Sequence, residues 1–192
     1  MANWFIALPL PVAAHWALPV DGLPVPLRGL AAADLHLTLA FLGACGEANA
    51  RRAWRCANAL RHPPIPIRPG GWRALGPSRA PSAFALVPAE GQELLAALIR
   101  RWRDPLLEAA AAPPDRRPPM PHITLARPPR RSSPAERAAL FGALHEKPLP
   151  PEPALLGDLA LFTWAQDRPQ RLFRQVSSRP LPGCDAGNAA GP

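Results

Sequence analysis

Two histidines of this chain occupy nearly identical apolar segments, and each stands two residues before a threonine. His36 and Thr38 lie in DLHLTLAFL, and His122 and Thr124 lie in PHITLAR. Residues two apart on a β-strand point to the same face, so each histidine is expected to share a face with its threonine. The two segments are separated by close to half the chain, which suggests an internal duplication with one such strand in each of two lobes.

Two imidazoles that face one groove can move two protons in one reaction. The ordinary pKa of imidazole is about 6.5, so near neutral pH one ring can accept a proton while the other donates one. In-line displacement at phosphorus needs this pair, a base for the incoming oxygen and an acid for the leaving oxygen. The hydroxyls of Thr38 and Thr124 can donate hydrogen bonds to the nonbridging phosphate oxygens. A lone strand histidine is more often structural, but the matched pair favours a functional interpretation.

The other three histidines lack this context. His15 lies in a proline-rich segment, and His62 precedes two prolines at the end of a predicted helix. His145 ends another predicted helix, where the helix dipole favours a cation. We interpret these three as structural or surface residues.

The elements around the two motifs are predicted to be short, with proline and glycine between them. Strand patterns cover residues 3–8, 34–42, 65–68, 72–75, 82–87, 122–127, 155–164 and 171–178. Helical spacing covers 46–60, 92–112, where Pro105 is expected to kink or divide the helix, and a stretch from the capping box at Ser133 to about His145. Residues 113–121 are expected to form a loop. This order predicts an α+β fold with largely antiparallel sheets.

The composition favours one enzyme-sized globular unit with a polyanionic partner. The chain has 192 residues, of which 48% are apolar, enough for one compact domain or two small lobes sharing a core. The net charge of +8 attracts phosphates, so nucleic acid is the favoured partner class. Almost all of this charge is arginine, with Lys147 the only lysine, a bias that a codon-biased genome can also produce.

Several other classes of protein are disfavoured. The three cysteines have no Cys-x-x-Cys spacing and no adjacent histidine cluster, so neither a zinc site nor a disulfide framework is indicated. The apolar N-terminal segment lacks a basic start and is interrupted by Pro9 and Pro11, which makes it a poor signal peptide. No apolar run reaches the roughly 18 residues of a membrane span. We therefore expect a cytoplasmic protein without a membrane partner.

The two motif segments resemble the signature motifs of a known superfamily. LHLTLAFLG and PHITLAR are similar to those of the 2H phosphoesterases, and specifically of the RNA 2′,3′-cyclic phosphodiesterases, historically called 2′-5′ RNA ligases. The opening WFIALPLP and the closing LALFTWAQDRPQRLFRQVSSRPL resemble the first strand and the last strand pair of that family. The resemblance implies one bilobal domain over residues 1–182, with a pseudo-twofold axis, two facing antiparallel sheets and helices outside. Residues 183–192 are expected to form a disordered tail.

The resemblance also implies an activity and its residues. The activity is hydrolysis of a 2′,3′-cyclic phosphate to a 2′-phosphate and a free 3′-hydroxyl, with no metal and no cofactor. His36 resembles the acid toward the leaving 3′-oxygen, and His122 resembles the base toward the attacking water. Thr38 and Thr124 resemble the phosphate-binding hydroxyls. The implied substrates are RNA ends with a 2′,3′-cyclic phosphate or small cyclic nucleotides, bound by a monomer.

Two further positions follow from the resemblance, but strict strand alternation conflicts with them. Phe41, five residues after His36, matches a position that stacks on the nucleobase, and Arg127, five residues after His122, matches one that binds phosphate. Alternation places both side chains on the faces opposite the histidines, where Phe41 would belong to the core. Their assigned roles therefore require a bulge, a strong twist or a strand end in each segment.

The closing segment departs from the family pattern, and other functions remain open. Residues 164–167 read Trp-Ala-Gln-Asp, where relatives often have a basic or hydroxyl-bearing turn, and the chain has no tyrosine. Arg130 and Arg131 can guide an RNA backbone or form a solvated basic loop. The alternative functions are 2′-5′ ligation of RNA by the reverse reaction and noncatalytic RNA binding. Two intact proton carriers argue against binding alone, and the abundance of water argues for hydrolysis over ligation.

Overall fold

The computed structural model describes residues 2–18, 23–25, 27–167 and 171–182. The segment 183–192, expected to be a disordered tail, lies outside these residues. The described strands are β1 (Trp4–Pro9), β2 (Arg28–Gly29), β3 (His36–Gly43), β4 (Ile65–Leu75), β5 (Ala83–Glu90), β6 (Ile123–Arg127), β7 (Ala154–Leu156), β8 (Asp158–Trp164) and β9 (Phe173–Pro180). The helices are α1 (Glu47–Ala57), α2 (Gln92–Ala109) and α3 (Pro134–His145).

The strands confirm the predicted α+β class and build a strongly curled antiparallel sheet. Their order is β7-β4-β5-β6-β3-β1-β8-β9, with β2 paired to β6. Four strands thus lie on each side of the boundary between β3 and β6, and those two strands carry the histidine motifs. We call β3, β1, β8 and β9 the His36 half and β6, β5, β4 and β7 the His122 half. The β3–β6 pairing joins the two halves into one sheet.

Three predicted elements differ from the structure. Residues 65–75 form one strand because its register against β5 shifts at Pro69–Gly71, which accommodates the break that the sequence suggested. The absence of a side chain at Gly70 permits this, since a Cβ there would lie 2.7 Å from the Val87 carbonyl oxygen. Pro105 lies inside α2 and does not divide it, because Leu106 and Leu107 beyond it are buried in the core.

The third difference is at Gly157, where the predicted strand 155–164 becomes two. β7 pairs with β4 in the His122 half, whereas β8 pairs with β1 and β9 in the His36 half. The chain therefore crosses between the two halves at Gly157, because a single straight strand could not pair with both β4 and β1.

The two motif strands carry the same irregularity at the same position. In the β1–β3 ladder, Ile6 pairs with Ala40 and Ala7 with Thr38, so Leu39 is an extra residue. In the β5–β6 ladder, Phe84 pairs with Ala126 and Ala85 with Thr124, so Leu125 is extra. Each bulge lies three residues after the motif histidine. An extra residue reverses the alternation of the side chains that follow it.

The predicted capping box of α3 is confirmed and gives a test of the fold. The Ser133 hydroxyl accepts from the Glu136 backbone N–H at 3.2 Å, and the Glu136 carboxylate accepts from the Ser133 N–H at 2.6 Å. Ser133→Ala should lower the free energy of unfolding by about 0.5–2 kcal/mol in urea denaturation, because one helix N–H loses its acceptor.

The neighbouring serine provides a matched control. The buried Ser132 hydroxyl has no hydrogen-bond partner among the described residues, so Ser132→Ala should change the stability by less than about 0.5 kcal/mol. Equal losses in both variants would contradict the role of the cap.

Candidate active site

The pairing of β3 with β6 brings the two motifs together. Leu37 pairs with Ile123 in antiparallel register. Counting outward from this pair places His36 across from Thr124 and Thr38 across from His122, since each leucine or isoleucine stands between its histidine and threonine. The two motif strands are therefore related by a pseudo-twofold axis through this pair, and each histidine lies across from the threonine of the other strand.

All six candidate residues line one groove of about 1600 Å³, namely His36, Thr38, Phe41, His122, Thr124 and Arg127. None of the three remaining histidines lines this groove in the described chain. The His62 ring is bonded to the Pro63 carbonyl oxygen, and His145 stands in the last turn of α3 with its ring edge-on to Phe141. The structure thus brings His36 and His122 together in one groove and leaves the other three histidines outside its described lining.

Both imidazoles are held by the same backbone contact. His36 Nδ1 lies 2.6 Å from the Asp34 carbonyl oxygen, and His122 Nδ1 lies 2.7 Å from the Met120 carbonyl oxygen. A carbonyl oxygen only accepts, so Nδ1 carries the hydrogen in each ring. In the neutral ring this leaves the lone pair on Nε2, and each histidine is set to exchange a proton through that nitrogen.

His36 lies among three phenyl rings. Its ring stacks on Phe5 with centroids 4.6 Å apart, lies 5.5 Å from Phe162, and meets Phe173 edge-on at 5.3 Å. Burial among these rings lowers the pKa of His36 to about 4, and the bond to the Asp34 carbonyl opposes this shift only in part. The ring is therefore neutral at pH 7 in the free protein.

His122 has a more polar setting. Burial is the main cause that lowers its pKa, the bond to the Met120 carbonyl opposes the shift, and the Arg117 cation adds to it. The two histidines thus share their backbone contact and differ in their surroundings, with aromatic rings around one and an arginine near the other.

Asp34 is a buried carboxylate that the sequence reasoning did not select. Its oxygens accept from the backbone N–H groups of Leu172 at 2.7 Å and Phe173 at 3.0 Å, and its own carbonyl accepts from His36. Arg171 lies 3.6 Å from the same carboxylate. Asp34 therefore sets the His36 ring through its backbone and the Phe173 wall of the pocket through its side chain. Its only sequence signal was its place two residues before His36.

The bulges resolve the conflict over Phe41 and Arg127. Because Leu39 and Leu125 are extra residues, the fifth residue after each histidine turns to the histidine's face. Phe41 is 51% exposed and lines the groove, and Arg127 is exposed and lines it as well. Phe41 is therefore not a core residue.

The walls of the groove differ in chemical character. Phe5, Phe41, Trp164 and Phe173 come from β1, β3, β8 and β9 of the His36 half. Six arginines and one carboxylate, Asp115, also line it in the described chain; the arginines are Arg28, Arg103, Arg117, Arg127, Arg130 and Arg137. The groove thus offers aromatic surface on one side and positive charge on the other. Arg131 is exposed and lies outside this described set.

Neither a cluster of metal-ligating side chains nor a membrane-spanning helix is found among the described residues. No group of three histidine, cysteine, aspartate or glutamate side chains there is arranged to hold a metal ion. Within the same residues, no helix combines the length and the apolar character needed to cross a membrane.

The profile of the 2′-5′ RNA ligase superfamily matches residues 26–168, which include both motif strands and most of the groove. The chain belongs to this superfamily. A comparison with curated protein sequences found no match.

Several solved structures share the fold of this chain at low sequence identity. Escherichia coli LigT is 22% identical over 94% of this chain and 98% of its own, with TM-scores of 0.62 in its ATP complex and 0.65 in its 3′-AMP complex. A phosphoesterase is 22% identical with a TM-score of 0.67 and the same coverage. Kluyveromyces marxianus Usb1 is 15% identical over 94% of this chain and 97% of its own, with a TM-score of 0.55.

The low pKa of His36 makes the stability of the fold depend on pH. Between pH 6.5 and pH 4 the unfolded chain binds a proton on His36 that the folded chain excludes, so stability is lost as the pH falls. Denaturation at pH 7 and pH 5 should show a loss in the wild type that exceeds the loss in His36→Gln by about 1–2 kcal/mol. Identical losses in the two proteins would show that the pocket does not exclude the proton.

The contacts of Asp34 predict a cost for a nearly isosteric change. Asp34→Asn replaces one acceptor by an NH₂ group facing a buried N–H, so unfolding should become easier by about 1–3 kcal/mol. The His36 Nδ1 proton should also exchange faster in NMR spectra. The exposed Asp158 is the matched control, and Asp158→Asn should change stability by less than about 0.5 kcal/mol.

Proposed function

We propose that this chain hydrolyses 2′,3′-cyclic phosphate ends of RNA to a 2′-phosphate and a free 3′-hydroxyl. The observation that carries the proposal is the pairing of Leu37 with Ile123. Because of this pairing, the two His-x-Thr motifs lie side by side and line one groove. Membership of the 2′-5′ RNA ligase superfamily supports the same chemistry. On the sequence grounds given above, we place the activity in a cytoplasmic monomer.

The reaction uses the two Nε2 atoms in opposite senses. His122 accepts a proton from water, whose oxygen bonds to phosphorus as the bond from phosphorus to the 3′-oxygen breaks. His36 donates its proton to that 3′-oxygen, which leaves as a hydroxyl. Thr38 and Thr124 donate hydrogen bonds to the nonbridging oxygens, where negative charge grows in the transition state.

The acid role of His36 requires a change of protonation on substrate binding. The free protein holds His36 neutral at pH 7, since its pKa is about 4. A cyclic phosphate bound between the two imidazole rings brings negative charge close to His36. A nearby anion stabilises the imidazolium form and so raises the pKa of His36. Substrate binding thus favours the protonated form that the acid step consumes.

The two walls of the groove suit the two parts of a nucleotide. The exposed Phe41 ring offers a stacking surface for the terminal base, an interaction worth about 1–3 kcal/mol per base. Arg127 and Arg130 offer charge to the phosphates. The related LigT has been crystallised with ATP and with 3′-AMP, which supports a nucleotide in this groove.

The test is an assay on a short RNA ending in a 2′,3′-cyclic phosphate, in EDTA, with 2′- and 3′-phosphate products resolved by chromatography. The wild type should form only the 2′-phosphate. His36→Ala and His122→Ala should each lower turnover by about 10²–10⁴-fold, with much smaller effects on RNA binding. His62→Ala, which changes a histidine outside the described groove, should keep wild-type turnover.

Other outcomes separate the remaining functions. Wild-type turnover in either motif variant would refute the two-histidine mechanism. Binding of RNA without any conversion would favour the binding module. Addition of an RNA with a free 5′-hydroxyl tests ligation, which requires a joined product rather than the 2′-phosphate.

A further inference from the structure

The loop before the second motif places a second charged cluster at the groove, and the proposed reaction does not use it. Residues 113–121 read PPDRRPPMP, so two proline pairs flank Asp115, Arg116 and Arg117. Arg117 Nε lies 2.8 Å from Asp115 Oδ1, and Arg117 Nη2 lies 2.7 Å from Asp115 Oδ2. The planar guanidinium thus meets the carboxylate in a two-point contact. Both residues line the groove together with His122.

A second arginine reaches the same carboxylate from α2. Arg103 Nη1 lies 3.9 Å from Asp115 Oδ2, and the Arg103 side chain is only 15% exposed. Its Nε is buried and has no hydrogen-bond partner in the described chain, since the exposed Asp104 carboxylate lies 3.9 Å away, beyond hydrogen-bond distance. A buried donor without an acceptor is costly, so an acceptor at this position would relieve that cost. Arg103 also lines the groove.

In the cluster of Arg103, Asp115 and Arg117, two guanidiniums therefore share one carboxylate, and the exposed Asp104 carboxylate lies 3.9 Å from Arg103 Nε as a second anion. The side-chain hydrogen bonds that Arg117 donates to Asp115 are the main cause that lowers the pKa of Asp115, to about 2. The Asp115 carboxylate is therefore charged near neutral pH. Arg117 is 80% exposed, and an exposed ion pair of this kind adds little stability in water. A phosphate offers the same two-oxygen face as the carboxylate and can take its place on either guanidinium.

The cluster is built from residues other than those that hold the reacting phosphate in the proposed reaction. That phosphate is proposed to lie between the two histidines and to accept from the two threonines, whereas the cluster comes from α2 and the loop that precedes His122. The groove of about 1600 Å³ exceeds the roughly 300–1000 Å³ of ordinary small-molecule sites, so it has room for more than one nucleotide.

We infer that Arg103 and Arg117 form a second phosphate site, with Asp115 as its resting counter-ion, which binds the phosphate on the 5′ side of the terminal nucleotide. This inference rests on the proposed function and names its substrate class, an RNA chain rather than a nucleoside cyclic phosphate. Asp115 keeps the two arginines in place and is displaced from at least one of them when RNA binds.

Three substrates test the inference, namely adenosine 2′,3′-cyclic phosphate, the same compound with a 5′-phosphate, and the dinucleotide ApA ending in a 2′,3′-cyclic phosphate. Arg117→Ala should lower kcat/KM by about 5–30-fold for the two substrates that carry a second phosphate, and by less than about threefold for the first. Arg103→Ala should show the same selectivity. Loss with the dinucleotide alone would assign the site to an internal phosphodiester, whereas equal loss with all three substrates would overturn the inference.

Arg116→Ala is the matched control, since this substitution removes the same charge from the same loop as Arg117→Ala. Arg116 is exposed and does not belong to the described groove lining. Arg116→Ala should therefore leave kcat/KM for each of the three substrates within about twofold of the wild type. Effects equal to those of Arg117→Ala would mean that general charge, and not a site, attracts the RNA.

Asp115 gives the sharpest test because the inference predicts a gain. Asp115→Asn releases both guanidiniums, so KM for the dinucleotide should fall by about 2–10-fold while KM for the first substrate stays unchanged. A purely structural role for Asp115 predicts a higher KM for every substrate in Asp115→Asn, and that result would overturn the inference.

A binding measurement separates failure of the site from failure of the proposed reaction. Anisotropy of a labelled dinucleotide ending in a 2′-phosphate should give a plot of log K against log salt whose slope is shallower by about 0.7 in Arg117→Ala. If no cyclic phosphate is hydrolysed, the proposed function fails, and this slope still decides the site. If hydrolysis proceeds and the slope is unchanged, the second phosphate site fails alone.

Discussion

The contact between β3 and β6 is the constraint on which the rest of the structure depends. Leu37 and Ile123 are both fully buried and pair at the junction of the two halves of the sheet. A shift of this register by one residue would turn one motif away from the groove, because strand side chains alternate between faces. The buried residues on either side of the motifs therefore hold the imidazoles and hydroxyls at one site. Packing and chemistry depend here on the same pair of residues.

The duplicated bulges extend this constraint to the rim of the groove. Without an extra residue at Leu39 or Leu125, Phe41 and Arg127 would face the core and leave the groove without its exposed ring and one of its arginines. The same bulge in the two halves turns different side chains to the groove, the aromatic ring of Phe41 in one half and the cation of Arg127 in the other. The two halves thus share their backbone irregularity and differ in their side chains, as the proposed substrate, which has a base at one end and a phosphate chain at the other, requires.

The surroundings of the two histidines follow the same asymmetry. His36 is enclosed by Phe5, Phe162 and Phe173, which come from three strands of its own half. His122 lies beside a proline-flanked loop with an arginine and its counter-ion. Asp34 links the His36 ring to the wall of its pocket. Its backbone carbonyl accepts from the imidazole, and its carboxylate accepts from the Phe173 backbone N–H. Removal from water and the bond to backbone act on the His36 pKa in opposite directions, and removal from water is the larger effect.

The sequence by itself determined the motifs, the α+β class and the capped start of α3, because these depend on local alternation, spacing and propensity. Together with the family resemblance it also required a bulge, a strong twist or a strand end in each motif strand. It did not determine that residues 65–75 form one strand, that α2 continues past Pro105, or that the chain crosses between halves at Gly157, since distant packing partners decide these points. The ring cage around His36, the contacts of Asp34 and the Arg103–Asp115–Arg117 cluster join residues far apart in the chain. Only the tertiary structure decided those contacts, because no local pattern records which side chains the curled sheet brings within hydrogen-bond or stacking distance.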